Sequence, residues 1–308
     1  MRRVSVRYAI ALIGLLALLS MPASADDSTA VYQRARPSLV QIVGVGESGR
    51  VYLGSGVALP NGNVVTNCHV TQRANRIQLF LGGNGPSATL EVPDVAHDLC
   101  ALRFPDLTRH SAVLGASNKL KIGDHVYAIG FNAGKGLSYQ EGEVAQLYEH
   151  DGGMVIRTTA AFTHGASGGG LFDQDGKLVG ILTFFRVAKD ETAYFAVPVE
   201  WIKPLDAVAG VAIAPLEGIP FWANEMARQP TFLQAGALEA DGRWQELAVL
   251  AREWTQVSPD NGQAWMALGK ASLYLGQRRE AELAFQHAVD LGLTYPANLV
   301  APAELDDQ

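Results

Sequence analysis

Between residues 30 and 205 the apolar positions fall in short runs rich in Val, Ile, Tyr and Phe, separated by glycine-rich turns. The runs are SLVQIVGVG, RVYLGSGVAL, NVVTNCHV, RIQLFL, LCALRF, HVYAIGF, GEVAQLY, GMVIRTTA, KLVGILTFF and AYFAVPV. Their even spacing and their β-branched and aromatic content predict an all-β sandwich or barrel. PNGN at 60–63 and QDGK at 174–177 have the small polar residues of hairpin turns. GGNGPS at 82–87 lacks the lysine of a phosphate-binding loop and reads as a surface turn.

The period changes near residue 206. Residues 206–221, DAVAGVAIAPLEGIPF, carry Pro215 and Pro220 and read as a linker. From 222 to 296 apolar residues recur at helical spacing, and a repeat of 34 residues relates Gly242 to Gly276, Glu246 to Glu280, Leu247 to Ala281 and Val257 to Leu291. That period, with AWMALGKASLYLGQRREAELAFQHAVDL, resembles the tetratricopeptide repeat, whose consensus spacing is met by Trp265, Leu268, Gly269, Ala281, Phe285 and Ala288. The preceding copy, 228–261, keeps Gly242 and Pro259 but has Thr231 in place of the tryptophan. Two repeats are fewer than a free-standing stack needs, so this small all-α module is expected to dock on the β domain or on another subunit. Residues 297–308 form an acidic tail.

The amino terminus sets the expected compartment. MRRVSVR is a basic region, YAIALIGLLALLS an apolar run too short to span a bilayer comfortably, and ASA at 23–25 a small-residue cleavage site. Residues 1–25 are thus expected to be a signal peptide cleaved after Ala25, placing the mature chain in the periplasm or outside the cell with no stable membrane anchor. Loss of Arg2, Arg3 and Arg7 takes the formal charge from −7 to −10. Nucleic-acid binding relies on Lys/Arg patches, so this acidic chain is a poor candidate for it.

Chemistry concentrates at FTHGASGGGLF, 162–172, where four glycines surround Ser167. A Gly/Ser stretch is often a flexible linker. Here it lies between β runs and is followed by the DQDGKLVGILTFF hairpin, so it belongs inside a domain. A serine hydroxyl is a weak nucleophile until a base takes its proton and an acid holds that base. VVTNCHV puts His69 at the end of one β run, and AHDLCALRF puts Asp98 at the head of another. The chain order His69, Asp98, Ser167 is the chymotrypsin-type order. Asp94 is the rival acid, but it sits beside a proline in an expected loop.

GSGVALPNGNVVTNCHV, DLCALRF, GDHVYAIGF and GASGGGLFDQDGKLVGI resemble successive blocks of bacterial trypsin-like serine peptidases of the HtrA/Deg type, and AYFAVPVEWIKPL resembles the last strand and closing helix of that type. The resemblance covers nearly all of 32–205. It implies a multidomain chain: an all-β, chymotrypsin-like double barrel over 30–205, followed by the helical repeats. It also implies endopeptidase activity on protein or peptide substrates, without a cofactor. Ser167 would attack the scissile carbonyl, His69 would shuttle the proton, and Asp98 would hold the imidazole. The amides of Gly165 and Ser167 would form the oxyanion hole. Ala161, six residues before the serine, and the strand at Thr183, Phe184 and Phe185 would line the substrate pocket, suggesting a small or medium apolar P1 side chain.

The sequence departs from that pattern in two places. The residue before the serine is Ala166 rather than Asp or Asn, which leaves open what holds the oxyanion loop, and the repeats stand where a PDZ segment would be. A peptide-binding scaffold with little turnover is therefore the alternative reading. Because the acid must touch the histidine, Cys68 and Cys100 are drawn together, and a disulfide is expected there, with two buried thiols as the alternative. Its loop of about 30 residues would be worth roughly 3–4 kcal/mol in the chain-entropy picture. His97, His110, His125, His150 and His287 are scattered singly, His164 reads as an exposed loop residue, and no metal ligand set is visible. The repeats are the expected surface for a protein partner.

Overall fold

The computed structural model describes residues 25–80, 83–105, 107–132, 136–189 and 191–293. The acidic tail at 297–308 lies outside them, as does the expected signal peptide except for its last residue. Among the described residues no helix is long and apolar enough to cross a membrane.

Helix α1 (Ala25–Ala35) leads into strands β1 (Leu39–Val45), β2 (Val51–Ala58) and β3 (Val64–Thr66), and then into the one-turn helix α2 (Cys68–Thr71). Strands β4 (Arg76–Phe80), β5 (Asn84–Ser87), β6 (Leu90–Asp94) and β7 (Leu99–Arg103) follow. A second series comprises β8 (His125–Asn132), β9 (Gly136–His150), β10 (Gly153–Thr158), β11 (Gly170–Asp173), β12 (Leu178–Val187) and β13 (Thr192–Pro198). After β14 (Val211–Ala212) come helices α3 (Thr231–Ala240), α4 (Trp244–Val257), α5 (Gly262–Tyr274) and α6 (Arg278–Asp290).

The first strands form one eight-stranded sheet in the order β14-β6-β7-β3-β2-β1-β4-β5, and the second series closes into a barrel ordered β10-β13-β12-β11-β8-β9. In β1 the alternation of apolar and polar residues buries Val40 and Ile42 and leaves Gln41 and Val43 partly exposed, as a one-sided strand requires. By contrast, β12 is buried from Leu178 to Phe184, because the barrel interior takes one face and a second apolar layer takes the other. One core cluster joins Val57, Val65 and Leu99 of the first sheet to Ile129, Ile181 and Phe195 of the barrel, and continues into Phe221 and Phe232 beyond them. The site therefore lies along a packed seam.

Several local expectations change. GGNGPS is not a free turn: β5 pairs with β4, Gln78 facing Ser87. Asp94 ends strand β6 rather than occupying a loop. The closing helix is replaced by two 3-10 turns, Val199–Trp201 and Lys203–Ala207, with Pro204 at the start of the second, where a proline is tolerated. His69 lies in α2 rather than at a strand end.

The stretch 206–221 is a docked strap. Its β14 adds to the edge of β6, Leu216 N donates to Gln72 O (2.8 Å), Gln72 Nε2 donates to Gly218 O (2.8 Å), and Phe221 N donates to Ala96 O (2.9 Å). Satisfying its backbone groups against the first sheet is what fixes this proline-containing segment.

The C-terminal region is a run of four helices, each packed on the next. The 34-residue period falls on two equivalent turns: Gly242 and Gly276 end α3 and α5 in the left-handed region, at φ +67° and +74°, where a Cβ is disfavoured. The region docks on the barrel. Tyr148 of β9 stacks on Phe232 at 4.5 Å, Gln263 Nε2 donates to Gln146 Oε1 (2.7 Å), and Arg186 of β12 donates to Leu233 O (3.2 Å).

At Gly269 helix α5 packs closely on α6, since a Cβ there would lie 2.5 Å from the buried Phe285 ring. Gly269→Ala is expected to destabilise the chain by about 1–3 kcal/mol through overpacking. Gly236→Ala, at an exposed α3 position with open space around it, is expected to be neutral or stabilising by up to about 1 kcal/mol. Thermal unfolding of the two variants checks the contrast.

Candidate active site

The site is assembled where α2 meets the head of β7. Cys68 and Cys100 are disulfide-bonded with Cα atoms 4.9 Å apart, clamping the two segments together, and Thr66 of β3 pairs with Cys100 in the sheet. Asp98 stands one residue before β7 with φ +60°. Its carbonyl accepts from Cys68 N (3.3 Å) and from Asn67 Nδ2 (2.9 Å). These bonds orient the carboxyl group. Oδ1 accepts from the His69 backbone N–H (2.9 Å), and Oδ2 accepts from His69 Nδ1 (2.6 Å) and from Trp222 Nε1 (3.0 Å). The Asp98 side chain is fully buried, whereas that of His69 is 29% exposed. Because Nδ1 is committed to the carboxyl group, Nε2 is the ring nitrogen left for chemistry.

Ser167 lies across the seam. Asn67 Nδ2 also donates to Thr183 Oγ1 (3.1 Å), and the Thr183 carbonyl accepts from Ser167 Oγ (3.4 Å). The structure thus joins His69 directly to Asp98 and brings Ser167 to the same seam through Asn67 and Thr183. Among the described residues no hydrogen bond links Ser167 Oγ to His69.

The loop before the serine is held from the first sheet by Ser55 of β2. Ser55 Oγ donates to Gly165 O (2.8 Å) and accepts from Phe131 N (2.7 Å), while Ser55 N donates to Ser167 O (2.8 Å). Both sides of Ala166 are therefore pinned by one residue. Ala166 is buried, and a Cβ on Gly130 would come within 3.0 Å of it, so a larger side chain has no room on that side. At Gly168, φ is +86° and a Cβ would lie 2.1 Å from Ser55 O, so the chain can pass here only as glycine. The amide N–H groups of Gly165 and Ser167 have no hydrogen-bond partner among the described residues, which leaves them available to a ligand oxygen.

The four expected pocket residues part company. Ala161 is partly exposed and borders a small apolar cavity of about 130 Å³ with Phe162, Ala166 and Leu182. Phe185 is half-buried beside His164, with rings 5.2 Å apart, and His164 is exposed. Thr183 points into the seam and donates to Ile181 O (2.7 Å). Phe184 is stacked between Phe195 (4.6 Å) and Trp222 (5.0 Å). Thr183 and Phe184 are both buried, at the β-bulge between Leu182 and Phe184, and their side chains are engaged within the seam.

Asp94 bonds His97 Nδ1 (2.7 Å), not His69. Burial opposes its charge, but the hydrogen bonds from His97 outweigh that and hold its carboxyl below the usual range; the same bond raises His97. Thr71 Oγ1 of α2 donates to the buried Glu91, whose second oxygen has no partner among the described residues. Burial pushes the Glu91 carboxyl up, and the Thr71 bond opposes it only partly. Among the described residues no group of His, Cys, Asp and Glu is arranged to hold a metal.

Sequence reasoning missed Ser55, Asn67 and Trp222. Ser55 stands in GSGVAL, and its role depends on the docking of two sheets. Trp222 sits just past the strap and carried no local signal.

Residues 54–181 match the trypsin-like peptidase domain family, a span that contains His69, Asp98 and Ser167. The chain is 34% identical over 166 residues to the "Probable periplasmic serine endoprotease DegP-like" of Buchnera aphidicola subsp. Baizongia pistaciae, covering 50% of this chain and 35% of that protein. It is 31% identical over 229 residues to "Serine protease Do-like HtrA" of Bacillus subtilis, covering 67% and 50%. The chain thus spans between about a third and a half of these relatives. A solved structure, "HtrA-type protease AlgW with tripeptide", superposes with TM-score 0.52 at 28% identity over 57% of this chain and 61% of that one. The chain therefore carries a chymotrypsin-like double-barrel β domain of the trypsin-like peptidase type with HtrA and DegP homologues, followed by a helical C-terminal region.

Two outcomes follow. Ser55→Ala removes the hydroxyl that pins Gly165 and leaves the Phe131 N–H unpaired, so it is expected to cost about 1–3 kcal/mol, measured by urea unfolding. Glu91 binds its proton more tightly folded than unfolded, where 4.5 is the ordinary value. Its contribution to stability is therefore complete below pH 4.5 and is lost as pH rises through the higher folded-state value. Glu91→Gln should accordingly match wild type most closely at pH 4 and gain on it by pH 8, read from urea midpoints at the two pH values.

Proposed function

We propose that this chain is an exported serine endopeptidase that cleaves protein or peptide substrates through an acyl-enzyme, with Ser167 as nucleophile, His69 as general base and acid, and Asp98 as the group that orients and balances the imidazole. The observation that carries this reading is the fully buried Asp98 carboxyl group holding His69 Nδ1 at 2.6 Å, inside the segment that matches the trypsin-like peptidase domain.

In this reading His69 Nε2 removes the Ser167 proton as Oγ attacks the scissile carbonyl, and returns it to the leaving amine. Water then cleaves the ester by the same proton route in reverse. The negative charge that develops on the carbonyl oxygen is met by the Gly165 and Ser167 amides, whose freedom from other partners supports the assignment. The Ser55 bonds answer the difficulty raised by Ala166, since they hold the loop without a polar side chain at that position. Peptide substrates are supported by the solved HtrA-type protease carrying a tripeptide. Export rests on the N-terminal pattern and on a relative whose name is periplasmic. Helices α3 to α6 act as a tetratricopeptide-like module that binds a partner or positions substrate.

A second reading, a peptide-binding scaffold with little or no turnover, is favoured by one observation: Ser167 Oγ donates to Thr183 O rather than to His69. Catalytic hydrogen bonds are often long in unliganded sites and tighten when substrate binds. Labelling with a fluorophosphonate probe separates the two. The peptidase reading expects wild type to label and Ser167→Ala to stay silent, with His69→Ala lowering peptide turnover by roughly 10⁴–10⁶. Equal silence of wild type and Ser167→Ala would establish the scaffold.

A further inference from the structure

The Asp98 carboxyl group receives its third donor from outside the β domain. Inside that domain the neighbouring side-chain donors are already committed: Thr183 Oγ1 donates to Ile181 O, and Asn67 Nδ2 donates to the Asp98 carbonyl and to Thr183 Oγ1 rather than to the carboxyl group. The remaining place on Oδ2 is taken by the indole N–H of Trp222 at 3.0 Å. An indole N–H is a donor only, so it fits a carboxyl oxygen and nothing else at that point. The ring stands edge-on to His69 at 5.7 Å and 85°, and lies flat on Phe184 at 5.0 Å and 11°.

The position of the indole is set by the docked helices. The Trp222 carbonyl accepts from Arg186 Nη2 (3.3 Å) and from Gln229 Nε2 (3.2 Å), while Arg186 also bonds Gln229 Oε1 (2.6 Å) and, through Nη1, Leu233 O of α3. The preceding Phe221 is buried against Trp201 and Phe184. A single arginine on β12, two residues beyond Phe184, therefore ties Trp222, Gln229 and helix α3 together.

We propose that Trp222 is a positioning residue for the His69–Asp98 pair, delivered to it by the docking of the helical region on the barrel. The inference rests on the peptidase reading above. The N–H holds Oδ2 in place for His69 Nδ1 and draws part of its negative charge, and the ring keeps water from a carboxyl group that has no exposed surface. Displacing residues 221–233 would withdraw this donor, so a ligand that moved α3 would alter the site without touching its cleft.

Trp222→Phe tests this, because it keeps a ring on Phe184 and removes only the N–H. The expected result is a kcat about tenfold lower with KM within about twofold, and an acid limb of the kcat/KM profile moved to higher pH, since a carboxyl group stripped of one donor favours the protonated imidazole more. The other titratable groups on this side are His97 and His150, which contact Trp201, with His150 also on Phe221, and Asp94 and Asp151, which pair with those histidines; Trp222→Phe leaves all four in place, so a moved acid limb is read against the same background. Arg186 meets Trp222 through its backbone carbonyl.

A second readout does not need turnover. The low-field proton resonance of His69 Nδ1–H should move further downfield in Trp222→Phe as the carboxyl oxygen becomes the stronger acceptor. Unchanged kcat, acid limb and proton resonance, or a change confined to KM, would overturn the positioning role and leave Trp222 as packing. A wild type that never labels with the fluorophosphonate probe while the resonance still moves would overturn the peptidase reading and keep the positioning role.

Discussion

A carboxyl group with no solvent-exposed surface is the constraint on which the rest of the site depends. Taking such a group out of water is costly unless donors replace the lost hydration. At Asp98 they come from three directions: the backbone and the ring of His69, and the indole of Trp222. Meeting that demand fixes the start of α2 against the head of β7, which is also where the Cys68–Cys100 bond lies. The same hydrogen bonds that satisfy a buried group thus aim an imidazole edge at the seam between the two β units.

The other half of the site is governed by a second accounting problem, that of a tight glycine-rich loop with few side chains of its own. Its carbonyls and amides must be held by neighbours or left for a ligand. Ser55 takes the Gly165 and Ser167 carbonyls, and Thr66 Oγ1 in turn donates to the Ser55 carbonyl at 2.6 Å. Two amides remain unspent. The first sheet thus supplies both the histidine and the clasp on the serine loop, so neither β unit alone carries a working arrangement.

What could be read from the sequence was whatever depends on local pattern. The strand runs, the change of period near 206, the glycines at 242 and 276, and the residue types of the His69, Asp98 and Ser167 set all have short-range signatures. Features created by docking were not legible. Ser55 bonds Gly165 across 110 positions and Trp222 bonds Asp98 across 124, and nothing around either residue announces it. The same limit accounts for Thr183 and Phe184, which are engaged by Asn67 and Trp222 from distant parts of the chain. GGNGPS and the 206–221 stretch read as turn and linker because their strand partners lie elsewhere in the chain.

The most direct measurement is the mass of the protein after brief incubation with an activated acyl ester, followed by peptide mapping. If Asp98 holds His69 to take the proton of Ser167, a single acyl group is found on the peptide containing Ser167, and it is absent when His69 is replaced by alanine. An acyl group distributed over surface lysines, with none on Ser167 in the wild-type chain, would contradict the account.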